Sequence, residues 1–139
     1  MGILTQRLLD IIMGLLNEDC NYREDGSFKY IPYNIDSFTK LLPSNKKLFL
    51  DVGCGIGDKM MIATEMGYEA HGIEVDEVLF RIADKYLHNV QHVDAFEFND
   101  YDKFDVIYMY RLYKDEEKLK QLRDLIKSKK KETAIFIEV

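Results

Sequence analysis

The stretch Lys47–Asp58, KLFLDVGCGIGD, decides how the rest of this chain is read. Leu48 to Val52 form a short apolar run, and Gly53, Gly55 and Gly57 follow it at alternate positions. That order predicts a strand turning sharply into a helix, because glycine tolerates positive φ and lets backbone approach a ligand closely. The helix after such a turn carries unpaired N–H groups at its start. A glycine triplet alone is weak evidence, since any tight turn can use one. The flanking sequence has to supply the rest.

Working outward toward the C-terminus, helical and strand patterns alternate. Lys59 to Met66 reads as a helix stopped by Gly67, and Glu69 to Ile73 as a strand in which Gly72 permits close packing. Asp76 opens a helix through Tyr86, and Val90 to Val93 is a third strand. Phe104 to Met109 is an unbroken apolar run that suits a strand buried on both faces. Asp115 to Lys127 is a charged amphipathic helix with Leu119, Leu122, Leu125 and Ile126 inward, and Thr133 to Val139 is a fifth strand. Strands separated by helices imply a parallel sheet with right-handed crossovers, hence a doubly wound α/β domain.

Toward the N-terminus the character changes. Leu4, Leu8, Ile11, Ile12, Leu15 and Leu16 recur at helical spacing, so residues 3 to 17 read as an amphipathic helix. Asn21 to Ser27 reads as a loop. Asn34 or Asp36 can cap a short helix running to Leu42, and Pro43-Ser44-Asn45 breaks the chain. The organisation expected is one domain over 1–139, with a helical cap at 1–45 and a ligand-binding core at 46–139.

Composition narrows the classes. A chain of 139 residues fits one ordinary domain. A net charge of −6 disfavours non-specific adhesion to nucleic acid or anionic lipid, although Lys127, Lys129, Lys130 and Lys131 form a basic knot. That knot is read as a helix C-terminus, where cations complement the dipole. Cys20 and Cys54 are far apart and outside any metal-ligand spacing, so neither a disulfide nor a metal is expected, and a reducing cytoplasm is the natural compartment. No apolar run reaches the roughly 18 residues of a membrane span.

Three acids support the glycine turn. Asp51 lies two residues before Gly53. Glu74 ends the second strand about 20 residues further on, where an acid can accept from both ribose hydroxyls. Asp94 follows the third strand, with Ala95 and Phe96 beside it. In open α/β sheets ligands bind at the carboxyl ends of the strands, beside the point where strand order reverses.

With these residues in view, LDVGCGIGD resembles the first motif of class I S-adenosylmethionine-dependent methyltransferases, and EAHGIEVDE resembles the acidic turn after their second strand. The resemblance runs from about Lys47 to Val139. It implies a Rossmann-like sheet of order 3-2-1-4-5 and S-adenosylmethionine as cofactor. It implies that Gly53, Cys54, Gly55 and Gly57 hold the methionine part and that Glu74 binds the ribose. Asp94 would accept from the adenine amino group, with Val75 and Ala95 packing on the ring. Asp51 would help fix the turn and reach the methionine amino group.

A nicotinamide reading fails on spacing. Its fingerprint is G-x-G-x-x-G, whereas this chain has G-x-G-x-G and then Asp58, a carboxylate that repels a pyrophosphate at a helix N-terminus. Substrate-side residues of the family follow the fourth strand, here Tyr110, Arg111, Leu112 and Tyr113. Tyr110 and Tyr113 are the catalytic candidates, and no acceptor-specific motif accompanies them. The sequence therefore names a cofactor and leaves the methyl acceptor unidentified. Family members usually continue past the fifth strand, so Thr133 to Val139 is expected to be an edge strand: a second chain covers it, or the N-terminal helix does, or the fold is a minimal one. Two functions remain: a methyltransferase, or a cofactor-binding or degenerate module acting with a partner chain.

The remaining notable residues read as structural. Cys54 is a small buried residue in the turn, His71 belongs to a strand, and His88 and His92 lie at the surface. Tyr22, Tyr30 and Tyr33 cover either the cofactor or the sheet edge.

Overall fold

A computed structural model describes residues 35–139. The helix expected over 3 to 17, Cys20, and Tyr22, Tyr30 and Tyr33 lie outside the described residues. The elements run α1 (Ile35–Leu41), β1 (Leu48–Val52), α2 (Asp58–Glu65), β2 (Glu69–Glu74), α3 (Glu77–Leu87), β3 (Val90–His92), β4 (Val106–Met109), α4 (Glu116–Lys129) and β5 (Ile135–Glu138). A single 3₁₀ turn, Tyr101–Lys103, precedes β4.

All five strands are parallel, in the order β3-β2-β1-β4-β5. The chain builds outward from β1 to β3, then returns to lay β4 on the other side of β1. The strand order therefore reverses between β1 and β4. Their carboxyl ends, with the turn after β1, mark the place where such sheets bind ligands.

Each face of the sheet carries its own core, because successive strand residues point to opposite sides. On one face Phe49, Ala70, Val106 and Tyr108 pack with Phe38 of α1, Ile62 of α2 and Ala83 of α3. On the other, Leu50, Val52, Ile73, Ile107 and Met109 meet Leu119, Leu122 and Ile126 of α4, together with Phe98, Tyr101 and Phe104. The β4 run Val106–Met109 is buried throughout, as a central parallel strand must be.

The helices start where local chemistry supports them. Asp76 caps α3 by accepting from Leu79 N at 3.0 Å, and Asp115 caps α4 by accepting from Glu117 N and Lys118 N. Glu116 and Glu117 in the first turn of α4, and Lys127 and Lys129 in its last, follow the dipole. Most helix ends, and the end of β2, shift by a residue or two from the sequence reading, and three other strands differ as follows. β4 begins at Val106 rather than Phe104, whose ring turns into the second core, and β3 ends at His92. β5 spans Ile135–Glu138, because Ala134 N closes a turn onto Lys131 O.

The amino ends of the strands are tied by one carboxylate. Asp105 accepts from Lys47 N at 3.1 Å and Leu48 N at 2.9 Å, and pairs with Lys131 Nζ at 2.5 Å. The Lys131 bond and the two backbone N–H groups hold its pKa down at about 2.

Candidate cofactor site

The turn after β1 is held in shape by β2. Gly53 N and Cys54 N both donate to Ile73 O at 2.9 Å, and Gly55 N donates to Glu74 Oε1 at 2.8 Å. Glu74 Oε2 accepts from Asp76 N at 2.8 Å, so one carboxylate pins the glycine turn and the start of the next helix together. Gly53, Gly55 and Gly57 have φ of 75°, 58° and 88°, the left-handed region that a side chain disfavours.

The space beside the glycines has particular occupants. A Cβ on Gly57 would meet Leu87 Cδ1 at 2.2 Å, and one on Gly53 would meet Leu112 Cδ1 at 2.2 Å. On β2, a Cβ at Gly72 would lie 2.5 Å from Met60 Sδ and 2.8 Å from both Cβ and Sγ of Cys54. Cys54 is buried against that bare backbone. Burial first, then the negative charge of Asp51 and Glu74, pushes its thiol up, away from the reactive thiolate.

Four charged residues are buried at this end of β1: Asp51, Asp58, Lys59 and Glu74. Lys59 Nζ pairs with Asp58 Oδ2 at 2.9 Å and lies 5.9 Å from the Phe38 ring centroid. The repulsion of a pyrophosphate assigned above to Asp58 is thus offset by a cation, and only the glycine spacing separates the two fingerprints. Asp51 is 3% exposed, and no described residue is recorded hydrogen-bonding to its carboxylate. Its pKa stands well above the ordinary value. Burial is the main cause, and Asp58 and Glu74 add to it while Lys59 opposes. The bonds that fix the turn run to Ile73 and Glu74 rather than to Asp51. The carboxylate that reaches Gly55 N comes from neighbouring β2, on a glutamate side chain one methylene longer than an aspartate's.

Between the carboxyl ends of β1, β2 and β4 opens a cleft of about 280 Å³, lined by Gly53, Ile73, Glu74, Val75, Val93, Ala95, Leu112 and Tyr113. Four residues expected from sequence, Gly53, Glu74, Val75 and Ala95, come together on its wall. Cys54, Gly55, Gly57 and Asp51 lie behind that wall. Asp94 stands beside it with Oδ1 accepting from Phe96 N at 2.8 Å, which sets the bend carrying Ala95 into the cleft.

Ile73 and Val93 were not expected, and each adjoins an expected residue, Glu74 and Asp94. Leu112 was legible only as part of a segment after β4, with nothing in its spacing to say that it folds back over Gly53. Tyr113 is a wall of the cleft: its ring stacks 6.0 Å from that of Phe96, and Lys118 Nζ sits 4.3 Å from its centroid. Tyr110 turns to the opposite face and packs on the core around Tyr108. No histidine lines the cleft: His71 contacts Glu69 and the edge of Phe104, and His92 stacks on Phe80 and meets the wall residue Val75 at its carbonyl oxygen.

No family model matches the chain, and no curated protein sequence matches it. Its fold is nevertheless shared with solved structures. DesVI of Streptomyces venezuelae superposes with a TM-score of 0.62 at 19% identity, over 75% of this chain and 48% of that one. An RNA methyltransferase from Salinibacter ruber, solved with S-adenosyl-L-homocysteine, gives 0.60 at 21% identity, over 73% and 72%. A SAM-dependent methyltransferase from Archaeoglobus fulgidus gives 0.62 at 24% identity, over 73% and 49%. The chain therefore has the Rossmann-like fold of class I methyltransferases. It spans about half the length of the first and third of these proteins.

Proposed function

We propose that this chain binds S-adenosylmethionine in the cleft at the β1/β4 switch point and serves methyl transfer to an acceptor not yet identified. The observation that carries this is the placement of Glu74. Its two oxygens accept from Gly55 N and Asp76 N, which fixes an acidic group in the cleft wall at the end of β2, where ribose hydroxyls would donate to it. Val75 and Ala95 offer apolar walls for a flat base, with Tyr113 on the β4 side. Asp51, buried and without a recorded partner, fits an ammonium group reaching it past the turn. The relatives in fold support the same cofactor, because the Salinibacter ruber protein was solved with its demethylated form.

The bound cofactor supplies an electrophilic methyl, so the protein's task is to hold it in line with an acceptor and keep water out. A second reading is a cofactor-binding module completed by a partner. It is favoured by the segment after β4, where Tyr110 packs into the core and Tyr113 forms the wall, leaving Arg111 exposed. Arg111 is no proton acceptor.

Calorimetry with S-adenosylmethionine tests the cofactor. Glu74→Gln should weaken binding by about tenfold or more, the scale of a lost charge-assisted hydrogen bond, with its thermal melt recorded alongside. Unchanged affinity in that variant sinks the assignment. Incubation with methyl-labelled cofactor and a cell extract then separates the readings, since label in a protein, nucleic acid or small molecule marks an enzyme.

A further inference from the structure

The cleft is small for the ligand proposed. Small-molecule sites span roughly 300–1,000 Å³, and the space here that a water centre can occupy is about 20 Å³. What narrows it is visible at the first glycine of the turn. Leu112 Cδ1 stands 2.2 Å from where a Gly53 Cβ would be, so the leucine side chain lies directly on the bare backbone. Glu74, Val75 and Ala95, assigned above to the ribose and the base, line the same cleft.

The segment that carries Leu112 begins at a strained residue. Arg111 has φ of 34°, a left-handed conformation that a non-glycine side chain adopts at a cost. Its backbone N–H reaches Val139 O only at 3.3 Å. Leu112 itself is half-buried at the margin of the second core, where a leucine can change rotamer without leaving a hole beneath the sheet.

We propose that Leu112 gates the amino-acid half of the cleft. In the free protein the leucine fills the place over Gly53, and seating the methionine tail displaces it. Leu112 is thereby the residue that sets the balance between ligands with and without that tail. The inference rests on the cofactor reading above and adds to it which side chain gives way to the tail.

Two neutral thioethers test it directly. 5′-Methylthioadenosine and S-adenosylhomocysteine share the nucleoside and the sulfur and differ in the amino-acid tail. Calorimetry on the wild-type protein, Leu112→Ala and Leu112→Val should show tail-bearing ligand gaining on tail-less ligand as the side chain shortens. The expected gain in that ratio for Leu112→Ala is about tenfold, the worth of a leucine that no longer has to be displaced. Leu112→Val keeps a branched apolar wall and should shift the ratio in the same direction by less, which covers the case of an alanine variant that folds poorly. Parallel weakening of both ligands makes Leu112 a plain wall and overturns the gate while leaving the cofactor reading intact. Absence of binding of either ligand to the wild-type protein overturns the cofactor reading and the gate with it.

Discussion

At the scale of single residues, the turn after β1 depends on absent side chains as much as on present ones. Gly72 is the least obvious of these, since it lies inside β2 rather than in the turn. Its missing Cβ lets Cys54 and Met60 press against the strand. Gly72→Ala should cost about 1–3 kcal/mol, the usual range for overpacking, read as a fall in the urea midpoint. Asp51 presents the converse case, a polar group kept at a cost. Its folded-state pKa lies above the unfolded value, so its contribution to stability is full in acid and is lost as pH rises. Asp51→Asn should therefore melt at a higher temperature than the wild-type protein near neutral pH, with the difference closing as pH falls toward about 4. The same variant should bind S-adenosylmethionine more weakly. A lower melting temperature at neutral pH contradicts this account of Asp51.

At the scale of elements, the two ends of the sheet are secured differently. The carboxyl end, which forms the cleft, is held by backbone groups that converge on Glu74 and Ile73 O. The amino end is held by Asp105, which joins the start of β1 to the loop before β5 through Lys131. Asp105 has its pKa lowered to about 2, against an unfolded value near 3.9. Its stabilisation is complete above the unfolded value and disappears as pH falls through the folded one. Asp105→Asn should cost about 1 kcal/mol at neutral pH, since the pair is partly exposed, and the gap from wild type should narrow between about pH 4 and pH 2. A gap independent of pH would show that shape rather than charge makes the tie. Element boundaries were legible to within a residue or two where apolar runs met glycine or a cap, as at Val52 and Asp115. They slipped at Phe104 and Thr133, where apolar or β-branched residues leave the ladder to serve a core or a turn.

At the scale of the whole molecule, one sheet separates two cores, and β1, β2, β4 and β5 contribute to both. Phe38 of α1 packs at 4.9 Å from the Tyr108 ring on one face, and Leu122 of α4 is fully buried on the other. Because they share β1 and β4, the faces should melt together. Phe38→Ala should cost about 3–5 kcal/mol and Leu122→Ala about 2–5 kcal/mol. Each should preserve one cooperative transition by circular dichroism and by tyrosine fluorescence. Separate transitions for the two probes would mean that the faces are independent units. No helix among the described residues is long and apolar enough to cross a membrane.

The sequence by itself determined the sheet and the address of the site. Alternating periodicities specify the βα units, and the glycines with Glu74 mark the end of the sheet at which a ligand sits, because both signals are local in the chain. What only the tertiary structure decided are the relations between segments far apart in sequence. Gly72 makes room for Cys54, Glu74 rather than Asp51 holds the turn, and Leu112 lies on Gly53. Each depends on strand register or on the path of a loop, and neither is written in the spacing of residues along one segment. The opening motif KLFLDVGCGIGD located the cleft, and the residues that shape it came from β2, the β3 end and the loop after β4.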